Sequence, residues 1–183
     1  MIINDPNGKA AEVTPDGRVK TLAASEPFMH AMSEIGKAWT LPFTQTGAAN
    51  TTDNAVFHFE NTSDEAFDIH KVVVSSAEAG RWSVYTGRTY SSGGTALSLA
   101  QLNTGSGKTQ DMTSYYGTGL TLAGTATLIM TCRLGANNPH DMLNSTEALQ
   151  IEPGGLFEVR FQADAGNNVM AVNIITHGVE PWE

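Results

Sequence analysis

From Ala38 onward the hydrophobic positions recur with a period of two. Turn residues interrupt them about every eight to fifteen positions, which is the pattern of antiparallel strands in a sandwich or barrel. The first predicted strands are Ala38–Phe43 and Ala55–Glu60, the latter with Ala55, Phe57 and Phe59 on one face and Val56, His58 and Glu60 on the other. Phe67–Ser75 alternates at Phe67 and Ile69 and then runs into three consecutive valines, Val72 to Val74. Arg81–Thr86 sets Trp82 and Val84 against Ser83 and Tyr85. These last two strands are expected to be antiparallel neighbours. Thr125–Cys132, Ala148–Ile151, Leu156–Phe161 and Val169–Ile175 complete the set. A Pro-Gly-Gly corner at Pro153 turns one short strand into the next, where Phe157, Val159 and Phe161 share a face. About eight such strands with long connections predict an all-β, antiparallel, jelly-roll-like sandwich over residues 38–183.

Residues 1–37 lack that pattern. Turn signals at Asp5-Pro6-Asn7-Gly8 and Pro15-Asp16-Gly17 leave only short β-like pieces between them, so an extended N-terminal arm without a core of its own is expected. Near its end, Ser25 as an N-cap, Pro27, and Phe28, Met29, Met32 and Ile35 at helical spacing before Gly36 predict one or two helical turns. The Gly-, Ser- and Thr-rich stretch from Gly87 to Gly124, with apolar residues at Leu97–Leu102 and a Tyr115-Tyr116 pair, is too long for a structureless loop. It is expected to be part strand and part functional or interface loop.

Composition sharpens this picture. Only 16% of the 183 residues are charged, against about a quarter in an average domain, while Thr, Gly, Ser and Asn fill 63 positions. The net charge is −9, and residues 134–183 carry seven acids and a single base, Arg160. Direct nucleic-acid binding is therefore not expected, because it needs clustered Lys and Arg to displace counterions. The first residues lack the basic and apolar regions of a signal peptide, and the densest apolar run, Leu128–Met130, is far too short to span a bilayer, so no membrane partner is expected. The single Cys132 has no disulfide partner within the chain and reads as a buried strand residue. Glycosylation triplets at Asn50, Asn61 and Asn144 are what a chain this rich in Asn, Thr and Ser produces by chance.

Candidate chemistry is sparse. Gly105-Ser-Gly-Lys-Thr109 resembles part of a phosphate-binding loop, but Leu102 stands where the pattern requires its first Gly, and no helix start follows. Among the five histidines, His58 and His70 could face each other across adjacent strands with Glu60 nearby, the one plausible metal cluster; two half-exposed strand histidines are the plainer alternative. Asp64-Glu65, or Glu158 with Asp164, could serve glycosidic chemistry only at a separation that sequence does not define, and a solvated face is the default. Asn137-Asn-Pro-His-Asp141 and Asp164-Ala-Gly-Asn-Asn168 offer oxygen ligands for calcium but fit turn chemistry better. No Gly-X-Ser-X-Gly nucleophile signature is present. The expectation is a non-enzyme with no cofactor and no metal. Trp39 and Trp82 read as core residues. Trp182, one residue from the end, reads as an anchor received by a neighbouring subunit.

Two stretches carry a resemblance. The first runs Gly8-Lys-Ala-Ala-Glu12-Val13-Thr-Pro-Asp-Gly-Arg18-Val19-Lys-Thr-Leu22 and, after a His-containing segment, Gly36-Lys-Ala-Trp39. The second is Val56-Phe-His-Phe-Glu-Asn61-Thr-Ser63. Together they resemble the N-terminal part of small virion structural proteins of tailed bacteriophages, in which such an arm leads into a β-sandwich. The match covers about the first 63 residues. It implies a capsid decoration, or cement, protein on the outer surface of the head, without enzymatic activity and assembled in the host cytoplasm. The implied partners are the major capsid protein and further copies of the chain in a homotrimer. The implied contact residues are Glu12, Val13, Arg18, Val19 and Leu22 of the arm, with Trp182 joining them as the subunit anchor. A neck, tail or head-fibre component fits the same arm. A carbohydrate- or receptor-binding jelly roll, with its site in Gly87–Gly124, is the alternative of another class.

Overall fold

The computed structural model describes residues 37–47, 52–105, 112–143, 149–165 and 168–179. The predicted arm up to residue 36, its helical turns, Glu12, Val13, Arg18, Val19, Leu22 and Trp182, the sequons at Asn50 and Asn144, and most of the Gly105–Thr109 loop lie outside the described residues. Every described element is a strand: β1 (Ala38–Gly47), β2 (Asn54–Asn61), β3 (Ala66–Ser76), β4 (Gly80–Thr86), β5 (Thr89–Ser92), β6 (Thr95–Ala96), β7 (Ala100–Gln101), β8 (Met112–Tyr116), β9 (Thr121–Ala123), β10 (Thr127–Leu134), β11 (His140–Asp141), β12 (Leu149–Ile151), β13 (Leu156–Ala163) and β14 (Asn168–Val179).

Eight of these strands build the sandwich. Sheet I runs β1-β14-β3-β12, extended by β7 beside β1 and β11 beside β3; sheet II runs β10-β4-β13-β2, extended by β8 and β6. All pairings are antiparallel, and the partners are nested: β1 with β14, β2 with β13, β3 with β12, β4 with β10. A long antiparallel hairpin rolled across two sheets has this order, which is the jelly roll. The expected pairing of β3 with β4 is therefore corrected. In a rolled hairpin successive strands alternate between sheets, so β3 pairs with β14 and β12 while β4 pairs with β13 and β10.

The core lies between the sheets. Phe59 of sheet II meets Phe67 of sheet I edge-on at 5.4 Å, and Phe43 of sheet I stacks on Phe57 of sheet II at 5.6 Å. Trp39 and Trp82 are buried as expected. Bulges in β3 and β2 keep apolar residues inward where simple alternation fails, and a third interrupts the edge strand β10, where Leu128 and Ile129 are exposed. In β3 the partner of Ile175 is Lys71 and that of Thr176 is Ile69, so His70 is an inserted residue, and both Phe67/Ile69 and Val72/Val74 are buried. In β2 the inserted residue is Val56, which is buried along with Ala55 and Phe57; in β10 it is Ile129. Cys132, expected to be buried, is only half-buried, because β10 is an edge strand of sheet II.

Candidate functional site

The outer face of sheet II, which alternation alone would leave to solvent, carries a buried polar cluster. Leu128, Tyr85, Glu158, His58, Tyr115 and Ala96 are successive cross-strand partners and form one row over β10, β4, β13, β2, β8 and β6. Over the row lies a strap formed by the two-stranded β5–β9 sheet. Its Tyr90 stacks on Tyr115 with ring centroids 3.8 Å apart and planes 4° from parallel, and lies 6.2 Å from the His58 ring. With the strap in place, His58 and Glu158 are 0% and 1% exposed.

A buried carboxylate needs partners, and Glu158 has two guanidinium groups. Arg88, at the root of the strap, donates from Nε and Nη2 to Oε2 at 3.3 Å each, and Arg160 donates from Nε to Oε1 at 2.9 Å. Arg160 also reaches Asp53 at 3.2 Å and sits over the Tyr85 ring at 4.6 Å, while the Tyr85 hydroxyl donates to Asp53 at 3.4 Å. Burial pushes the Glu158 carboxyl above the usual carboxylate range, with Arg88 pulling the other way. His58 Nε2 lies 2.9 Å from the Arg88 carbonyl, which can only accept, so Nε2 carries the proton; Nδ1 is buried without a partner. Burial holds this imidazole below its ordinary value. Glu158 Oε2 and the protonated imidazole nitrogen are thus committed to holding the strap on the sheet, while Oε1 pairs with Arg160 of its own strand.

A second site lies at the end of the sandwich where the chain enters and leaves. Ala38 pairs with His177 and Ala66 with Val179, so the start of β1, the end of β14 and the start of β3 lie side by side. Lys37 bridges to Glu65 at 3.2 Å, and the Trp39 ring lies 5.9 Å from Phe67. Asn61, fully buried, fixes the adjoining turn. Its amide donates to the carbonyls of Glu65 (2.8 Å) and Ile151 (3.0 Å), and its Oδ1 accepts from the Ser63 amide (3.0 Å) and hydroxyl (2.7 Å). Its backbone pairs with the Pro-Gly-Gly corner through Gly154 and Gly155.

Other candidates are separated. His58 and His70 lie in different sheets, so they do not face each other. Among the described residues no group of three or more His, Cys, Asp or Glu could hold a metal ion. Glu158 sits within β13, while Asp164 lies beyond its end and pairs with Arg133 at 2.7 Å. Asn137 adopts a left-handed φ of 55°, as its turn reading requires. Tyr115 has one face covered by Tyr90, and Tyr116 packs against Phe43 at 4.9 Å; both are half-buried rather than an open stacking platform. Comparison with protein-family models, with curated proteins and with solved structures returns no match.

Proposed function

We propose that this chain is a virion structural protein of a tailed bacteriophage, a capsid decoration protein that binds the outer surface of the head and stabilises the shell. The observation that carries the reading is the meeting of the described end of its first phage-like stretch with the second. Lys37–Trp39 and Val56–Ser63 are separated by 16 residues, and at one end of the jelly roll Lys37 pairs with Glu65, just past the second stretch, while Trp39 and Phe59 both pack on Phe67. That end is also where the chain running to the arm and the chain running to Trp182 depart.

On this reading the end carrying both departures faces the major capsid protein. Glu12, Val13, Arg18, Val19 and Leu22 make the arm contacts and Trp182 anchors a neighbouring copy, giving a homotrimer suited to three-fold and quasi-three-fold positions. Repeated weak contacts then hold the coat by multivalency. The test is co-sedimentation with shells stripped of this protein. The full chain is expected to pellet with them. A variant lacking residues 2–36 is expected to keep the circular dichroism of the sandwich and stay in the supernatant. Full-chain protein that does not pellet would overturn the decoration reading, and a truncated variant that still pellets would overturn the role of the arm.

A further inference from the structure

The β5–β9 strap is a separate two-stranded sheet, and glycines with positive φ bound it at both ends: Gly87 (94°) and Gly124 (101°) at one, Gly93 (87°), Gly94 (73°) and Gly117 (130°) at the other. These positions turn with little steric resistance, so the strap can move without disturbing the sheet beneath. What holds it down is local: the Arg88–Glu158 ion pair, the Tyr90–Tyr115 stack, and the hydrogen bond from His58 to the Arg88 carbonyl. We propose that His58 is a proton-operated latch, which holds the strap on sheet II while neutral and lets it lift when protonated.

The geometry gives the reason. A second proton on His58 must go to Nδ1, which is buried and has no acceptor, so the closed state would bury a cation and an unsatisfied donor together. The groups around it do not compensate. From the strap, the Arg88 guanidinium adds repulsion while the Arg88 carbonyl bonded to Nε2 favours the charged ring, and Tyr90 stacked on Tyr115 of β8 offers no carboxylate. On β13, the Glu158 oxygens are taken by Arg88 and Arg160; Asp53 before β2 is taken by Arg160, Tyr85 and Arg81 of the neighbouring strands. Burial outweighs both the Arg88 carbonyl and Glu60 on β2, which favour the charged ring, and holds His58 below its ordinary value.

The direction with pH follows. An open strap exposes His58, which then takes up its proton near the ordinary value, whereas the closed state takes it up only at lower pH. Closure is therefore favoured fully above about 6.5 and weakens as pH falls below it, by about tenfold for each unit of depression once both values are passed. Glu158 works the other way: its carboxyl is raised in the closed state, so its own protonation favours closure.

The experiment follows amide hydrogen-exchange protection of β5 and β9 on the full chain between pH 7.5 and 5, alongside the NMR titration of the His58 ring. His58→Gln keeps an N–H donor that cannot ionise and leaves the Arg88–Glu158 ion pair intact. Protection in the wild type is expected to fall with the same midpoint as His58 ionisation and not to fall in His58→Gln, while β13 and β14 remain protected throughout. Flat wild-type protection, a strap midpoint that does not follow the His58 titration, or equal loss in His58→Gln would overturn the proposal. If His58→Gln does not fold, coincidence or divergence of the two wild-type midpoints decides.

Discussion

Replacing Asn61 by alanine isolates the turn on which the end of the sandwich depends. The substitution removes four hydrogen bonds made by one fully buried side chain, to Glu65 and Ile151 and from Ser63 twice. A net bond is worth about 1 kcal/mol, and a buried carbonyl left without a donor costs about 1–3 kcal/mol more. The Ile151 acceptor is in that position; Ser63, half-buried, can turn part of its capacity to water. With the Ser63 bonds discounted, the expected loss is therefore about 3–5 kcal/mol, a fall in Tm of roughly 6–20 °C for a domain of this size. Urea unfolding followed by tryptophan emission measures it, with Thr62→Ala, an exposed neighbour, as a control expected within about 0.5 kcal/mol of wild type. Because Asn61 and Ser63 share bonds, Asn61→Ala with Ser63→Ala should cost less than the sum of the two singles by about 1 kcal/mol. A loss below about 1 kcal/mol for Asn61→Ala, or strict additivity, would refute the account of this turn.

Other expectations follow from the same geometry. Glu158→Ala leaves two guanidinium groups facing a buried void and should cost about 3–5 kcal/mol in urea unfolding, with Arg88→Ala losing less because Glu158 keeps Arg160. Gly80→Ala would place a Cβ 2.5 Å from the Gln162 carbonyl and 2.6 Å from the Phe161 ring, so Tm should fall, by about 1–3 kcal/mol of overpacking or more. The Cys132 thiol is raised by burial, so it should react with a disulfide reagent at pH 8 more slowly than a small free thiol, and a rate equal to the free thiol would contradict its placement. A chelator should leave Tm unchanged; a lowered Tm would reveal a stabilising metal.

The eight sandwich strands could be read from the chain because most show alternation within a few residues: Phe157, Val159 and Phe161 define a buried face without knowledge of any partner. Pairing could not be read in the same way. β3 and β4 are joined by a three-residue turn, yet the roll sends them to opposite sheets, a choice set by contacts far along the chain. The bulges at Val56, His70 and Ile129 shift a face by one residue, which local periodicity registers only as an unexplained apolar run. The polar row was harder still. His58, Glu158 and Tyr115 fall on the face that alternation assigns to solvent, and the strap that buries them comes from Thr89–Ser92 and Thr121–Ala123, which look like loop. A signal was present in Phe157-Glu158-Val159-Arg160-Phe161: opposite charges two residues apart on one face of an otherwise apolar strand, in a chain with few charges. Two such groups on one face can pair, and Arg88 then supplies the third member from the root of the strap.

The proposal that this chain coats a phage head is tested most directly by quantitative mass spectrometry of purified particles of its candidate phage, giving its copy number relative to the major capsid protein. Decoration of three-fold and quasi-three-fold positions predicts on the order of hundreds of copies per particle. About a dozen copies would move the protein to the neck, tail or fibres and contradict decoration, and absence from the particle would contradict a virion role altogether.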